Sequence, residues 1–117
     1  MAKRSFWAWG MESDEPTAGQ MKTAAEELAS RYKEDLTPVG PPKASDLSLR
    51  KPRITPPSSL SAICASNDHD RAVHTYGRSF RDRIRAFNLE FPNPPDVVAR
   101  PRNENEVEAV LEWCSSS

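Results

Sequence analysis

The sequence predicts a mainly α-helical chain with one or two short β-strands. Apolar residues recur at the three- and four-residue spacing of a helix in two stretches, residues 18–36 and 107–114. Between them, residues 37–57 hold six prolines, which fix φ and lack a backbone donor, so regular structure is disfavoured there. Residues 96–99, an apolar run bracketed by prolines, form the most convincing strand.

Composition predicts a small core. With 117 residues, the chain is one domain or less. Leu, Ile, Val and Phe together number 20, about 17% of the chain, which falls in the range typical of disorder. The net charge of −1 argues the other way, because disordered chains usually carry strong net charge. We expect a partly folded, helix-rich piece that normally packs against more protein.

Charge and apolar patterning disfavour several classes of function. The 16 basic and 17 acidic residues are interspersed, so nothing in bulk suggests a nucleic-acid partner. No apolar run reaches the roughly 18 residues that a membrane span needs. Cys64 and Cys114 are too few and too far apart for a disulfide framework or a metal site, and two thiols suit a reducing compartment. We expect a soluble, cytoplasmic protein whose oligomeric state the sequence leaves open.

The N-terminal third holds an aromatic cluster and a capped helix. Phe6, Trp7 and Trp9 are expected to pack on the body of a larger protein. Thr17 and Gln20 have the spacing of a capping box, which predicts a helix over residues 18–36. The apolar stripe of that helix is predicted to be a core face; its members are Met21, Ala25, Leu28, Tyr32 and Leu36.

Short helical pieces are predicted after the proline-rich segment. A turn at Ser58 or Ser59 carries Leu60 and Ile63, and a second piece is capped by Asn67 or Asp68. Gly77 is the expected left-handed stop of that piece. Ser79 caps a third piece over residues 80–87, whose stripe is Phe80, Ile84 and Phe87.

Five arginines lie close together around that third helix. They are Arg71, Arg78, Arg81, Arg83 and Arg85. One interpretation is a solvated or salt-bridged surface, and another is contact with an anionic ligand or a partner domain. Nucleic acid is disfavoured, because aromatic side chains that would stack on bases are not interleaved with the arginines.

The sequence offers no catalytic, cofactor-binding or metal-ligating residue. The four glycines are isolated, so no phosphate-binding loop is present among these residues. His69 and His74 are five residues apart, which does not give the paired ligands of a helical metal site. Neither histidine has a recognisable nucleophile beside it, so surface or capping roles are expected.

The last 24 residues predict a strand, a turn and a capped helix. Asn103 and Glu106 form the cap, and an apolar face follows at Val107, Val110, Leu111 and Cys114. A lone strand cannot satisfy its own backbone groups. We therefore expect residues 96–99 to be unpaired within the chain and to need strands that a longer protein supplies.

Two stretches carry a resemblance to a known family. Residues 70–82 contain an arginine–histidine–glycine run, Arg71, His74 and Gly77, and residues 91–98 end in Pro-Asp-Val-Val. With the capped helix, these resemble the N-terminal region of FAD-linked oxidases, nearest to the alkyldihydroxyacetonephosphate synthase-like branch. Residues 7–10, Trp-Ala-Trp-Gly, and the proline-rich segment are similar to that branch too.

The resemblance implies an α+β FAD-binding fold of the vanillyl-alcohol-oxidase type, of which this chain is an incomplete N-terminal piece. Residues 1–93 would be a helical preface with a proline-rich linker at 37–57, and residues 94–117 the first strand and helix of the flavin domain. In the family, a Gly-rich loop after the next strand holds the flavin pyrophosphate. No family flavin-binding or catalytic residue maps onto this chain, so it is expected not to bind FAD tightly alone.

Two functions follow as hypotheses. In the first, the chain belongs to an FAD-dependent oxidoreductase, with ether-lipid synthesis by alkyl-for-acyl exchange or hydride transfer from a substrate as the family chemistry, and its partner is the remainder of the flavin domain. In the second, the chain is a stand-alone protein-interaction module without catalytic activity. In that case the Trp-rich start or the arginine-bearing helix would dock on a partner.

Overall fold

The computed structural model describes residues 2–117, and these are mainly helical. Four α-helices and two β-strands follow one another along this part of the chain, with 3-10 turns at Glu12–Asp14, Ala44–Asp46 and Ser58–Leu60. The elements are α1 (Ala18–Tyr32), β1 (Cys64–Ala65), α2 (Asp68–Val73), α3 (Phe80–Phe87), β2 (Val98–Ala99) and α4 (Glu104–Ser116). The predicted fold class, mainly α with short strands, is confirmed.

The C-terminal strand has a partner inside the chain. β2 pairs antiparallel with β1, with Cys64 opposite Ala99 and Ala65 opposite Val98, and the Arg100 amide donates to the Ile63 carbonyl at 2.8 Å. The prediction that this strand is unpaired was wrong, because a two-residue strand such as β1 is too short to show an alternating pattern. The sheet nevertheless has only two strands in residues 2–117, fewer than an independently stable sheet needs.

The N-terminal loop, residues 3–12, packs on α2 and α3 of the same chain. Phe6 is only 3% exposed and lies in the core with Ala72 and Val73. Trp7 packs edge-on against Phe87 with ring centroids 5.4 Å apart, and Trp9 stacks on Phe80 at 6.3 Å. The aromatic cluster was expected to lie on a larger protein, but it covers this chain's own helices.

A glycine closes the N-terminal loop. The Ser5 amide donates to the Gly10 carbonyl at 3.1 Å, and the Glu12 amide donates to the Lys3 carbonyl at 2.9 Å. Gly10 has a φ of 90°, and a Cβ there would lie 2.9 Å from Asp14 Oδ2. A larger side chain at this position would strain the turn that brings Phe6 into the core.

Helix α1 projects without support from the rest of the chain. Thr17 and Gln20 cap it as predicted, but it ends at Tyr32, where Lys33 takes a left-handed φ of 55°, four residues before the expected end. None of its residues, all of which the structure describes, is buried. Leu28 and Tyr32 are 43% and 64% exposed, so the prediction of a core face is wrong within this chain.

The overall dimensions are large for a chain of this length. The Cα radius of gyration is 18.2 Å and the extents are 59 × 26 × 23 Å, whereas a compact domain of this length has a radius of about 13 Å. The proline-rich segment is irregular apart from one 3-10 turn, as predicted. Its Leu47 and Leu49 pack against the core, so the segment is docked at that end. We call residues 3–12 and 47–100 the body.

Helices α2 and α3 keep their predicted caps, but α3 leaves most of its predicted apolar stripe exposed. Asn67 caps α2 and Ser79 caps α3 through the Asp82 amide. Gly77 is not the left-handed stop that was predicted; α2 already ends at Val73, with His74 as its C-cap. On α3 the buried residues are Arg83 and Ala86, while Phe80 and Ile84 of the predicted stripe are 68% and 47% exposed.

Candidate functional site

Arg71 is the most deeply buried charged side chain described, with 0% of its surface exposed. Its Nε donates to the Pro95 carbonyl and one terminal nitrogen to the Arg50 carbonyl, both at 2.7 Å. The other terminal nitrogen lies 3.1 Å from the Asp68 carboxylate. A guanidinium has five donors in a fixed fork, so one side chain joins three segments that lie far apart in sequence.

Asp96 lies on the outer side of these contacts. Its carboxylate accepts hydrogen bonds from the Arg53 guanidinium at 2.8 Å, from the Arg53 amide at 3.0 Å and from Arg50. Hydrogen bonds from the Arg53 side chain first, and then from Arg50, hold the pKa of Asp96 well below its usual range. We call Arg50, Arg53, Arg71 and Asp96 the arginine junction.

The arginine junction fixes residues 94–96, the segment that leads into β2 and α4. Pro94 is fully buried, and its carbonyl accepts from Arg50 at 2.7 Å. Residues 94–96 are therefore held on both sides, and the predicted strand is reduced to Val98–Ala99 because Asp96 is engaged by side chains instead of a ladder. The stretch that carries the family resemblance is thus positioned by contacts with the proline-rich segment.

Arg83 makes a second junction with the N-terminal loop. It is 5% exposed, and its terminal nitrogens donate to the carbonyls of Gly77 at 2.9 Å, Ala8 at 3.3 Å and Phe6 at 3.4 Å. Its Nε is buried without a partner among the described atoms. Burial, and then the charge of Arg78, lower the pKa of Arg83.

The five arginines therefore do not form one surface. The interpretation as a solvated face is wrong for Arg71 and Arg83, which donate to backbone carbonyls in the interior. Arg81 is exposed, and the Arg85 guanidinium lies 6.0 Å from the centroid of the Tyr76 ring. Sequence patterning treats arginine as polar and cannot foresee a buried one, and it missed Arg50, Arg53 and Asp96 entirely.

The two histidines hold the ends of α2. His69 Nε2 lies 3.0 Å from the Glu12 carboxylate, and its ring packs edge-on against Phe6. His74 Nδ1 lies 2.8 Å from the Asp70 carbonyl, which accepts its hydrogen. Within residues 2–117, no three His, Cys, Asp or Glu side chains are arranged to hold a metal ion.

Helix α4 is covered on one side only. Asn103 caps it by accepting from the Glu106 amide at 3.0 Å, and Arg102 pairs with the Glu106 side chain at 2.6 Å. Val110 and Trp113 are half-buried, whereas Val107 and Leu111 are 44% and 61% exposed. The predicted apolar face of this helix is thus mostly open to solvent.

The open side of α4 is a one-sided surface. A space of about 890 Å³ runs along it, and the residues that line this space all lie in residues 103–116, that is, in the helix and its N-cap. No other described segment of the chain faces Val107 and Leu111 across that space. The exposed face of α4 and the β1–β2 sheet together form the candidate functional site. The arginine junction holds the residues that precede β2, and the apolar face of α4 is left uncovered.

Comparison with known proteins leaves the family open. No family model, no curated protein and no solved structure matches this chain. In the part of the chain that the structure describes, no helix has both the length and the apolar character needed to cross a membrane.

Proposed function

We propose that this chain is the N-terminal part of an FAD-dependent oxidoreductase of the FAD-linked oxidase type, similar to the alkyldihydroxyacetonephosphate synthase-like proteins. The support from sequence is the order and spacing of the residue 70–82 run, the Pro-Asp-Val-Val segment and the capped helix. In this proposal, residues 94–117 are the first strand and helix of the flavin domain, and the preceding residues brace them.

One physical observation carries the proposal: the chain leaves too much surface uncovered. Its accessible surface is 8400 Å², against about 6400 Å² for a compact monomer of its mass. Part of the apolar portion of this surface lies on α1 and α4, including Leu28, Val107 and Leu111. A protein with these faces is expected to bury them against further structure.

The arginine junction gives the proposal a mechanical role for the residues present. It ties β2 to the proline-rich segment and to α2, so the free edges of the two-stranded sheet keep one orientation. A sheet edge held in this way can accept another strand through its unpaired backbone groups. The flavin supplies hydride or group-transfer chemistry in such enzymes. The residues of this chain would position the first strand and helix of the flavin domain and cover part of its surface.

The test is the size and flavin content of the native protein. An antibody against exposed helix α1 should detect, in the cells of origin, a species much larger than 13.1 kDa. That species, once captured and denatured, should release FAD with its characteristic fluorescence. A species of 13.1 kDa that releases no flavin would contradict the proposal.

A second candidate is the stand-alone interaction module, and one observation favours it. The core around Phe6 and the contacts of buried Arg71 are complete within the chain, since their partners all belong to residues 2–117. A single cooperative thermal transition of the purified 117-residue chain, with no larger species in cells, would support the module. Broad melting of the same chain would support the oxidoreductase.

A further inference from the structure

The N-terminal loop and α3 share one exposed apolar surface. Trp9 stacks on Phe80 with ring centroids 6.3 Å apart and ring planes 19° from parallel. Ile84 follows Phe80 by four residues and so lies beside it on the helix. All three side chains are exposed, and Trp9 leaves 54% of its surface open. The aromatic start of the chain and the arginine-bearing helix, which are separate docking candidates in the sequence, are therefore one surface.

The two rings of this surface are ordered within the chain. The Trp9 indole Nε1 donates to the Arg78 carbonyl at 2.9 Å. Phe80 is the first residue of α3, whose start is fixed by the Ser79 cap. Side chains that are already ordered lose little conformational entropy on binding, and aromatic residues and arginine are the types that dominate the energetics of protein interfaces. A partner that covers these rings therefore gains more than one that covers a mobile patch.

A row of positive charge runs beside the apolar row of α3. Arg81 and Arg85 each follow one residue after Phe80 and Ile84, so the two rows are parallel along the helix. The ion pairs in the described part of the chain involve other arginines, and the one carboxylate of the helix, Asp82, is engaged in its cap. This side of α3 therefore carries a net positive charge. We call Trp9, Phe80, Arg81, Ile84 and Arg85 the basic aromatic surface.

The open face of α4 has the same arrangement with the opposite charge. Val107 and Leu111 form its apolar row, and Glu108 and Glu112 each follow one residue later. All four line the open space along the helix. The ion pair at the start of this helix uses a different glutamate, and the helix itself contains no lysine or arginine. The open face of α4 is therefore an apolar row beside an acidic row.

The two faces match when the helices lie antiparallel. Reversing one helix end to end and turning its face to the other keeps both charged rows on the same side of the contact. The apolar rows then oppose each other, and the arginine row opposes the glutamate row. A parallel arrangement would place the charged rows on opposite sides. No part of α3 lines the space along α4 in the same molecule, so the matching face must come from another molecule.

We propose that the basic aromatic surface of one copy binds the open α4 face of a second copy, with the arginine row against the glutamate row. Two copies make this contact twice, once in each direction, and so close into a symmetric dimer. One pairing of two short helices falls below the area of a stable interface, roughly 1,200 Å², so both contacts are needed. The inference rests on the second candidate function, the stand-alone interaction module, and names its partner as another copy of the chain.

The test is sedimentation velocity of the purified 117-residue chain, in a series from about 1 µM to 1 mM. We expect a change from monomer to dimer with a midpoint at about 10–100 µM, because the interface is small. Arg81→Glu/Arg85→Glu should weaken dimerisation at least about tenfold, since glutamates then face glutamates. Glu108→Arg/Glu112→Arg should weaken it as much, since arginines then face arginines. A parent chain that stays monomeric throughout the series would overturn the proposal.

Mixing the two charge-reversed variants tests the pairing itself. In a mixed dimer each of the two contacts again joins arginines to glutamates. The equimolar mixture should therefore dimerise within about threefold of the parent chain's affinity, whereas misfolding of either variant could not be repaired by mixing. A mixture that stays monomeric would contradict the proposed contact. If circular dichroism shows that a double variant is unfolded, Arg81→Glu and Glu108→Arg replace the two, each with an expected loss of about threefold or more.

A matched control carries the same change of charge on α1. Lys22→Glu/Arg31→Glu alters two exposed side chains and should leave the dimer affinity within about twofold of the parent chain's. An equal loss in this control would make α1 the partner of α4 and overturn the proposal. Failure to dimerise would leave the interaction module with another partner, whereas a larger flavin-containing species in cells would refute the module itself, so the two failures are distinguishable.

Discussion

The body and helix α1 differ in what stabilises them. In the body, two buried guanidinium groups, Arg71 and Arg83, join segments up to 77 residues apart. Helix α1 has a complete capping box and a left-handed end, yet none of its described residues is buried. Local signals are thus enough to start and stop a helix, but they do not determine what its apolar stripe packs against.

Helix α4 stands between these two cases. Its start is capped by Asn103 and by the Arg102–Glu106 pair, and Trp113 is half-buried. Its outer face, with Val107 and Leu111, is as open as that of α1. The number of stabilising contacts therefore decreases from the body, which is cross-linked by buried arginines, to half-covered α4 and then to uncovered α1.

The largest effect is expected at Arg71. Arg71→Ala should lower the free energy of unfolding by about 2–5 kcal/mol, because it leaves the space of a fully buried side chain empty and removes the donor of the Pro95 and Arg50 carbonyls. Urea denaturation measures this change. The matched control is Arg81→Ala on exposed Arg81, which should change stability by no more than about 0.5 kcal/mol. Equal urea midpoints of unfolding for the two variants would contradict the claim that Arg71 holds three segments together.

Arg83 should matter less than Arg71, because its contacts with Phe6 and Ala8 are longer. Arg83→Gln is expected to cost about 1–3 kcal/mol, the price of leaving buried carbonyls unsatisfied. It should also loosen the N-terminal loop, which tryptophan fluorescence reports through Trp7 and Trp9. A destabilised chain with unchanged fluorescence would show that Arg83 does not hold the loop.

Asp96 links the arginine junction to pH. Its folded-state pKa is lowered, so its stabilisation is present above the unfolded value of about 3.9 and is lost as pH falls through the folded value. Asp96→Asn should destabilise the chain at pH 7, and its difference from the parent chain should shrink steadily as the pH falls below about 4. Equilibrium unfolding at several pH values measures this.

The matched control for Asp96 lies on α4. Glu106 also has a lowered pKa, caused first by its hydrogen bond with the Arg102 side chain, but it supports only the helix start. Glu106→Gln should flatten the pH dependence of global unfolding less than Asp96→Asn does. The reverse order would mean that the helix cap, and not the arginine junction, dominates acid sensitivity.

The smallest effect is expected on α1. Leu28→Ala should change the free energy of unfolding of the 117-residue chain by no more than about 0.5 kcal/mol, because Leu28 is exposed and alanine favours a helix. Denaturation monitored by tryptophan fluorescence checks it. A loss of 2 kcal/mol or more would show that the stripe of α1 is buried within the chain in solution.

The sequence predicts the parts of this fold that local chemistry controls. The caps at Thr17, Ser79 and Asn103 are all present, because each depends on a side chain and an amide three residues apart. The irregular proline-rich segment follows from the same kind of local rule.

The parts that failed depend on contacts distant in sequence. β1 has two residues and gains its strand character only from β2, and Arg71 is buried only because carbonyls from residues 50 and 95 converge on it. Likewise, Phe80 and Ile84 of the α3 stripe remain exposed, Arg83 and Ala86 take the buried side, and Phe87 contacts Trp7 of the N-terminal loop.

Amide hydrogen exchange of the purified 117-residue chain tests the contrast between body and helix most directly. An isolated helix of 15 residues is marginally stable in water, so peptides from residues 18–32 should exchange at least about tenfold faster than those from residues 68–73. Protection of residues 18–32 equal to that of residues 68–73 would contradict the account, because α1 would then be supported by the body.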